Sequence, residues 1–141
     1  MKYFQNGENF LVVLAKGEEL FSLLEEFIVR TQLKAAWLAG LGGATDVELG
    51  FYNLEEKKYI FKTFSQTLEV TGLTGNITRD EEGAPLFHIH GSFADSEYHV
   101  IGGHINKLVT GGTLELELRP VKDSLTRKLN DEVGLKLLEE K

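Results

Sequence analysis

Helical periodicity claims one stretch of this chain, and most of the remainder alternates in short runs broken by glycine. Leu20, Leu23, Leu24, Phe27 and Ile28 recur at three- and four-residue steps, the stripe of a helix packed on one side. Lys16-Gly17-Glu18-Glu19 opens that helix with two carboxylates at its positive end, and it closes near Gln32. Phe10 to Ala15 is an apolar run suited to a strand buried on both faces. Lys34 to Ala39 reads as another strand, broken by Gly40-Leu41-Gly42-Gly43. Val47, Leu49 and Phe51 alternate as a half-buried strand should, and Tyr59, Phe61 and Thr63 continue the pattern after a polar turn.

Leu68 to Ile77 is a further strand whose glycines mark bulges or close backbone approach, and Arg79 to Gly83 is a turn. A histidine-rich hairpin follows, then the alternating run Thr113 to Leu118, ended by Pro120. The tail from Lys122 to Lys141 carries a weak helical set, Leu135, Leu137 and Leu138. These patterns predict one α+β domain over residues 1–141. Its mainly antiparallel sheet has about seven or eight strands, packed with one main N-terminal helix. Short strands leave edges to cover, and oligomerisation is one way to cover them.

Composition narrows the chemistry. With no cysteine among its 141 residues, the chain can build neither a disulfide scaffold nor a thiolate metal cage. A net charge of −7 repels a phosphate backbone at long range. The pairs Lys57-Lys58 and Arg127-Lys128 read as isolated, solvated surface. No segment is long and apolar enough to span a bilayer, and the N-terminus turns polar too early for a signal peptide. The expectation is a soluble cytoplasmic protein.

All 4 histidines fall between Phe87 and His104. His88 and His90 are two residues apart, which on a strand points both rings to one face. The turn-like stretch Ala94-Asp95-Ser96-Glu97 lets the chain double back and deliver His104 to the same face. If Ala94 pairs with Tyr98, His88 lies opposite His104. A loop one residue shorter flips His104 away unless a bulge at Gly102-Gly103 restores it. His99 is an odd number of residues from His104 and is left out of the site.

Three neutral imidazoles suit zinc, with nickel, cobalt or ferrous iron as alternatives. They leave a fourth position open, the pattern of catalytic rather than structural zinc. Glu69, mid-strand between Leu68 and Val70, is a candidate proton handler. Arg119, at the end of an alternating strand, is a candidate for orienting an anionic substrate. There is no G-x-S-x-G elbow and no Walker loop. No helical pattern follows Gly40 to Ala44, so a dinucleotide loop is rejected.

Several segments together resemble the plants-and-prokaryotes conserved (PPC) domain. They are Lys16-Gly-Glu-Glu-Leu20, Leu38-Ala-Gly-Leu-Gly-Gly-Ala44, Leu68-Glu-Val-Thr-Gly-Leu-Thr-Gly-Asn76, and His88-Ile-His-Gly-Ser-Phe-Ala-Asp95 with Gly102-Gly-His-Ile105. The tail Asp131 to Leu138 looks like the family's closing segment, with Val133 where threonine is expected. The resemblance implies a homotrimer and places His88, His90 and His104 at the family's zinc positions. It also implies distant kinship of fold to alpha-acetolactate decarboxylase, a three-histidine zinc lyase. Plant members are joined to AT-hooks, and this acidic chain has no Arg-Gly-Arg-Pro hook.

Three functions follow as alternatives. The first is a metal-binding trimer acting on a small molecule, with lyase or hydrolase chemistry. The second is a DNA-associated regulator, and the third a structural assembly module whose histidines staple the hairpin.

Overall fold

The computed structural model describes residues 1–140. The elements in chain order are β1 (Lys2–Asn6), β2 (Asn9–Ala15), α1 (Leu20–Thr31), β3 (Ala35–Asn53), β4 (Lys58–Phe64) and β5 (Leu68–Arg79). Then come β6 (Pro85–Ala94), β7 (Val100–Val121), β8 (Arg127–Asn130) and β9 (Leu135–Leu138). This is the α+β class read from the sequence: one helix against a mainly antiparallel sheet. Seven strands lie in the order β1-β2-β7-β6-β5-β3-β4, with β7 also pairing β3, and β8-β9 form a separate two-stranded sheet. The pairings β3–β5, β5–β6, β6–β7 and β7–β3 therefore close into a ring.

The core fills this curved sheet from the face that α1 covers. Leu20, Leu24, Phe27 and Ile28 are the buried residues of the helix. Phe27 meets Phe10 of β2 edge-on at 5.2 Å between ring centroids, a favoured quadrupole geometry. Glu19 caps the helix by accepting a hydrogen bond from the Ser22 amide at 2.8 Å. Gln32 ends it in the left-handed conformation, φ 54°.

Three expectations are corrected. The Phe10–Ala15 segment is buried on one face only: Val12 and Leu14 are inside, and Leu11 is exposed. The Gly40–Gly43 stretch does not break the strand. β3 runs through it with a register shift between Gly40 and Gly42, because Gly42, at φ 149°, takes a backbone angle that disfavours a side chain. The leucine set of the tail is not helical. Leu135, Leu137 and Leu138 lie on a strand that pairs antiparallel with β8. Gly134 at φ 75° turns the chain there, and the Asn130 side chain accepts from the Val133 amide at 3.0 Å. Tertiary bonds hold this hairpin against the sheet, the Arg79 amide donating to Leu125 O at 2.9 Å among them.

No described helix is long and apolar enough to cross a membrane. The packing predicts that Phe27→Ala costs ~3–5 kcal/mol, the usual loss for emptying a fully buried aromatic site. Val29→Ala on the exposed side of α1 should stay within about 0.5 kcal/mol. Urea unfolding of both variants checks this.

Candidate metal centre

β6 lies between β5 and β7, and its register decides where the histidines go. His88 pairs with Asn76 and His90 with Thr74 across β5–β6. Across β6–β7, Ala94 pairs with Val100 and His90 with His104. The expected partner of His104 was His88, through an Ala94–Tyr98 pair. The loop Asp95–His99 is two residues longer than that reading needs, so parity is kept and the pairing moves by one step along the same face. No bulge is required at Gly102-Gly103, where the ladder is regular. The Asp95 carboxylate organises the loop by accepting from the Glu97 and His99 amides at 2.9 and 3.0 Å.

The three rings meet. Their centroids are 5.0 Å (His88–His90), 5.4 Å (His90–His104) and 5.7 Å (His88–His104) apart. One nitrogen from each lies within 4.8 Å of the others, close enough for the group to hold a metal ion. His88 Nε2 and His90 Nε2 are 3.2 Å apart. Tetrahedral zinc with its usual nitrogen distances has an edge of roughly 3.3 Å. His99 stays out, turned to Asp95 and Glu97 in the loop at 3.5 and 3.6 Å.

Burial favours the neutral form of two of the three rings. Burial holds the His104 pKa down at about 4, with the His90 and His88 rings adding to the effect. His88 is lowered by burial, then by the Arg127 guanidinium and His90. The buried His104 Nδ1 has no hydrogen-bond partner among the described residues, as expected of a donor set lacking its acceptor. Tyr59 covers His104 with ring centroids 5.1 Å apart. Gly50, paired with His104, makes room for the Tyr59 ring: a Cβ there would sit 2.8 Å from it.

Arg127 is the residue that sequence reasoning missed, and its placement corrects the expectation of a solvated pair. It is 9% exposed. Its Nε donates to Thr78 Oγ1 at 3.1 Å, Nη1 to Lys136 O at 3.1 Å, and Nη2 to Asn76 Oδ1 at 3.0 Å and His88 Nδ1 at 3.3 Å. A guanidinium only donates, so His88 Nδ1 accepts and the neutral ring carries its proton on Nε2. A neutral imidazole that binds a metal through Nε2 carries its proton on Nδ1 instead, so ligation there would require the other tautomer and the loss of the Arg127 bond to Nδ1. Nothing near Arg127 in sequence announces burial, since its partners come from β5, β6 and β9.

The two proposed chemical partners lie elsewhere in the chain. Glu69 is an exposed residue of β5 opposite Ala94. Arg119 lies opposite Trp37 near the far end of β7 from His104 and is 3.7 Å from Glu117. Neither lines the cavity at the histidines, which is bounded by Tyr59, Leu86, Phe87, His88, His104, Arg127 and the β9 residues 135–137.

The depressed histidine values set a pH dependence for metal-free protein. Between pH ~6.5 and ~4 the unfolded chain binds a proton at this position that folded His104 does not, so acid favours unfolding. This contribution is fully present above about pH 6.5 and disappears as pH falls through that window. His104→Gln should flatten the fall in urea midpoint over the same range, and parallel curves for the two proteins would refute it.

Comparison with known proteins places this geometry in a family. The model of the Plants and Prokaryotes Conserved (PCC) domain matches residues 1–122. A search of curated proteins gives no significant match. A candidate DNA-binding protein of Ralstonia eutropha is 28% identical with a TM-score of 0.91, over 99% of this chain and 96% of that one. A metal-containing protein of Archaeoglobus fulgidus is also 28% identical, with a TM-score of 0.86 over 97% of this chain and 96% of that one. Alpha-acetolactate decarboxylase of Bacillus subtilis is 14% identical, with a TM-score of 0.57 over 92% of this chain and 60% of that one. That last likeness is one of fold alone. With its helix, its closed ring of strands and the family model covering most of its length, this chain belongs to the plants-and-prokaryotes conserved domain family.

Proposed function

We propose that this protein binds a zinc ion through His88, His90 and His104 and uses it on a small molecule, as a homotrimer. The convergence of three imidazoles beside a partly enclosed cavity carries this reading. The donor set is all nitrogen, the spacing of two donors suits a tetrahedral ion, and burial keeps two of the rings neutral near pH 7. The metal-containing relative from Archaeoglobus fulgidus supports it further. Zinc held by three histidines would supply Lewis acidity and an open coordination position.

Self-association is supported by exposed apolar side chains on paired strands. Phe51 of β3 is 71% exposed, and Ile60, its partner on β4, is 54% exposed. Val100 at the start of β7 adds to the exposed apolar surface. Patches of this kind mark contact surfaces. Within one chain neither Glu69 nor Arg119 belongs to the histidine group. In a trimer, either acts at the site only from a neighbouring copy. The Ralstonia relative favours a second reading, a DNA-associated regulator, against which the charge of −7 weighs.

Elemental analysis of untagged protein, purified without chelator, should find about one zinc per chain, the stoichiometry of a single three-ligand site. His88→Ala, His90→Ala and His104→Ala should each abolish it, and His99→Ala should leave it intact. Retention of metal by all three ligand variants would sink the site. Light scattering should return a trimeric mass, and a monomeric one refutes the assembly. A DNA-associated role would instead show duplex binding that weakens steeply as salt rises.

A further inference from the structure

The cavity beside the histidines differs from the rest of this acidic molecule. With 22 Asp and Glu residues in the chain, none lines it. Beside the histidines its walls are Leu86 and Phe87 from β6 and Leu135, Lys136 and Leu137 from β9, with Tyr59 and Arg127. The volume is about 160 Å³, below the ~300–1,000 Å³ of pockets that take drug-sized ligands. It therefore suits a small molecule rather than a peptide or nucleotide.

Arg127 makes the polar requirement of this cavity specific. It is 9% exposed, and no described carboxylate lies within ion-pair reach of it. All its partners are neutral: a hydroxyl, an amide oxygen, a backbone carbonyl and an imidazole nitrogen. These bonds occupy four of the five N–H donors a guanidinium carries, leaving one Nη1 hydrogen. A buried charge without an opposite charge is costly, and a ligand that supplies the anion relieves that cost. β8 and β9 lie beyond residues 1–122, the part of the chain that the family model covers.

We infer that the C-terminal hairpin and β6 enclose a binding site for a small aliphatic carboxylate, its anionic group facing Arg127 and its hydrocarbon body against Leu86, Leu135 and Leu137. The assignment rests on the small-molecule reading above, because His88 and His104 line the same cavity. It adds the ligand's charge and size and assigns selectivity to the hairpin. Lys136 also lines the cavity, but its ammonium is paired with Asp80 at 3.5 Å. Apolar walls beside one unpaired cation separate such a ligand from inorganic phosphate, which offers nothing to them.

The test is calorimetric titration of the purified protein with sodium butyrate, butyramide and inorganic phosphate. Butyrate should bind, and butyramide and phosphate should bind at least about tenfold more weakly, the loss expected for one charge-assisted hydrogen bond. Arg127→Met should weaken butyrate by a similar factor, whereas Lys122→Gln, which removes an exposed positive charge elsewhere, should not. Since Arg127→Met also loosens the hairpin, Leu135→Phe serves as the second variant. It narrows the cavity, retains the guanidinium, and should weaken butyrate as well.

Absence of butyrate binding, equal binding of butyramide or phosphate, or full affinity in either variant would overturn the inference. Metal content on the same samples separates the two readings. About one zinc per chain without butyrate binding retires the carboxylate site alone. Arg127-dependent butyrate binding without metal retires the zinc reading alone.

Discussion

The site depends on the register between β6 and β7. Side chains alternate along a strand, so one step of slip would turn His104 to the opposite face and dissolve the triangle. The Asp95–His99 loop prevents that slip: its carboxylate binds two of its own amides, and Ala94 is left opposite Val100. On the other side, β5 holds β6 so that Asn76 and Thr74 stand beside His88 and His90. The arrangement of three imidazoles is thus a by-product of two ordinary antiparallel ladders.

Around that register the molecule builds contrasting layers. β3 pairs with β7 along nearly its whole length and joins the helix-covered core to the histidine face. The core behind the site is apolar and closely packed, with Ile89 and Ile105 inward where His88, His90 and His104 point outward. A rigid apolar backing would suit the proposed metal site, whose ligand geometry must be held to a fraction of an ångström. On the far side Arg127 ties the C-terminal hairpin to Asn76, Thr78 and His88. One buried cation thereby connects His88, the strand beside it and the segment that walls the cavity.

The histidine cluster and its face were legible in the sequence because period-two alternation is a local property. His88 and His90 must share a face on any unbroken strand, and the odd count of loop residues sets the side on which His104 emerges. The exact cross-strand partner was not legible. Loops of three and five residues give the same parity, and only the observed ladder shows that His90, rather than His88, faces His104. The C-terminal hairpin was misread for a related reason. Leu135, Leu137 and Leu138 satisfy a helical turn and a strand equally well, and pairing with β8 decides between them.

The sequence by itself determined the one amphipathic helix, the predominance of antiparallel strands, the absence of thiolate from any metal site and the strand alternation that puts His88 and His90 on one face. Each follows from local periodicity or from which side chains exist at all. The tertiary structure alone decided that Arg127 is buried, that the acids stay clear of the cavity, and that Glu69 and Arg119 lie away from the histidines. Burial and charge pairing are sums over neighbours distant in the chain. Arg127 reaches Thr78, Asn76 and His88 across separations of 49, 51 and 39 residues, and no local pattern encodes such a sum.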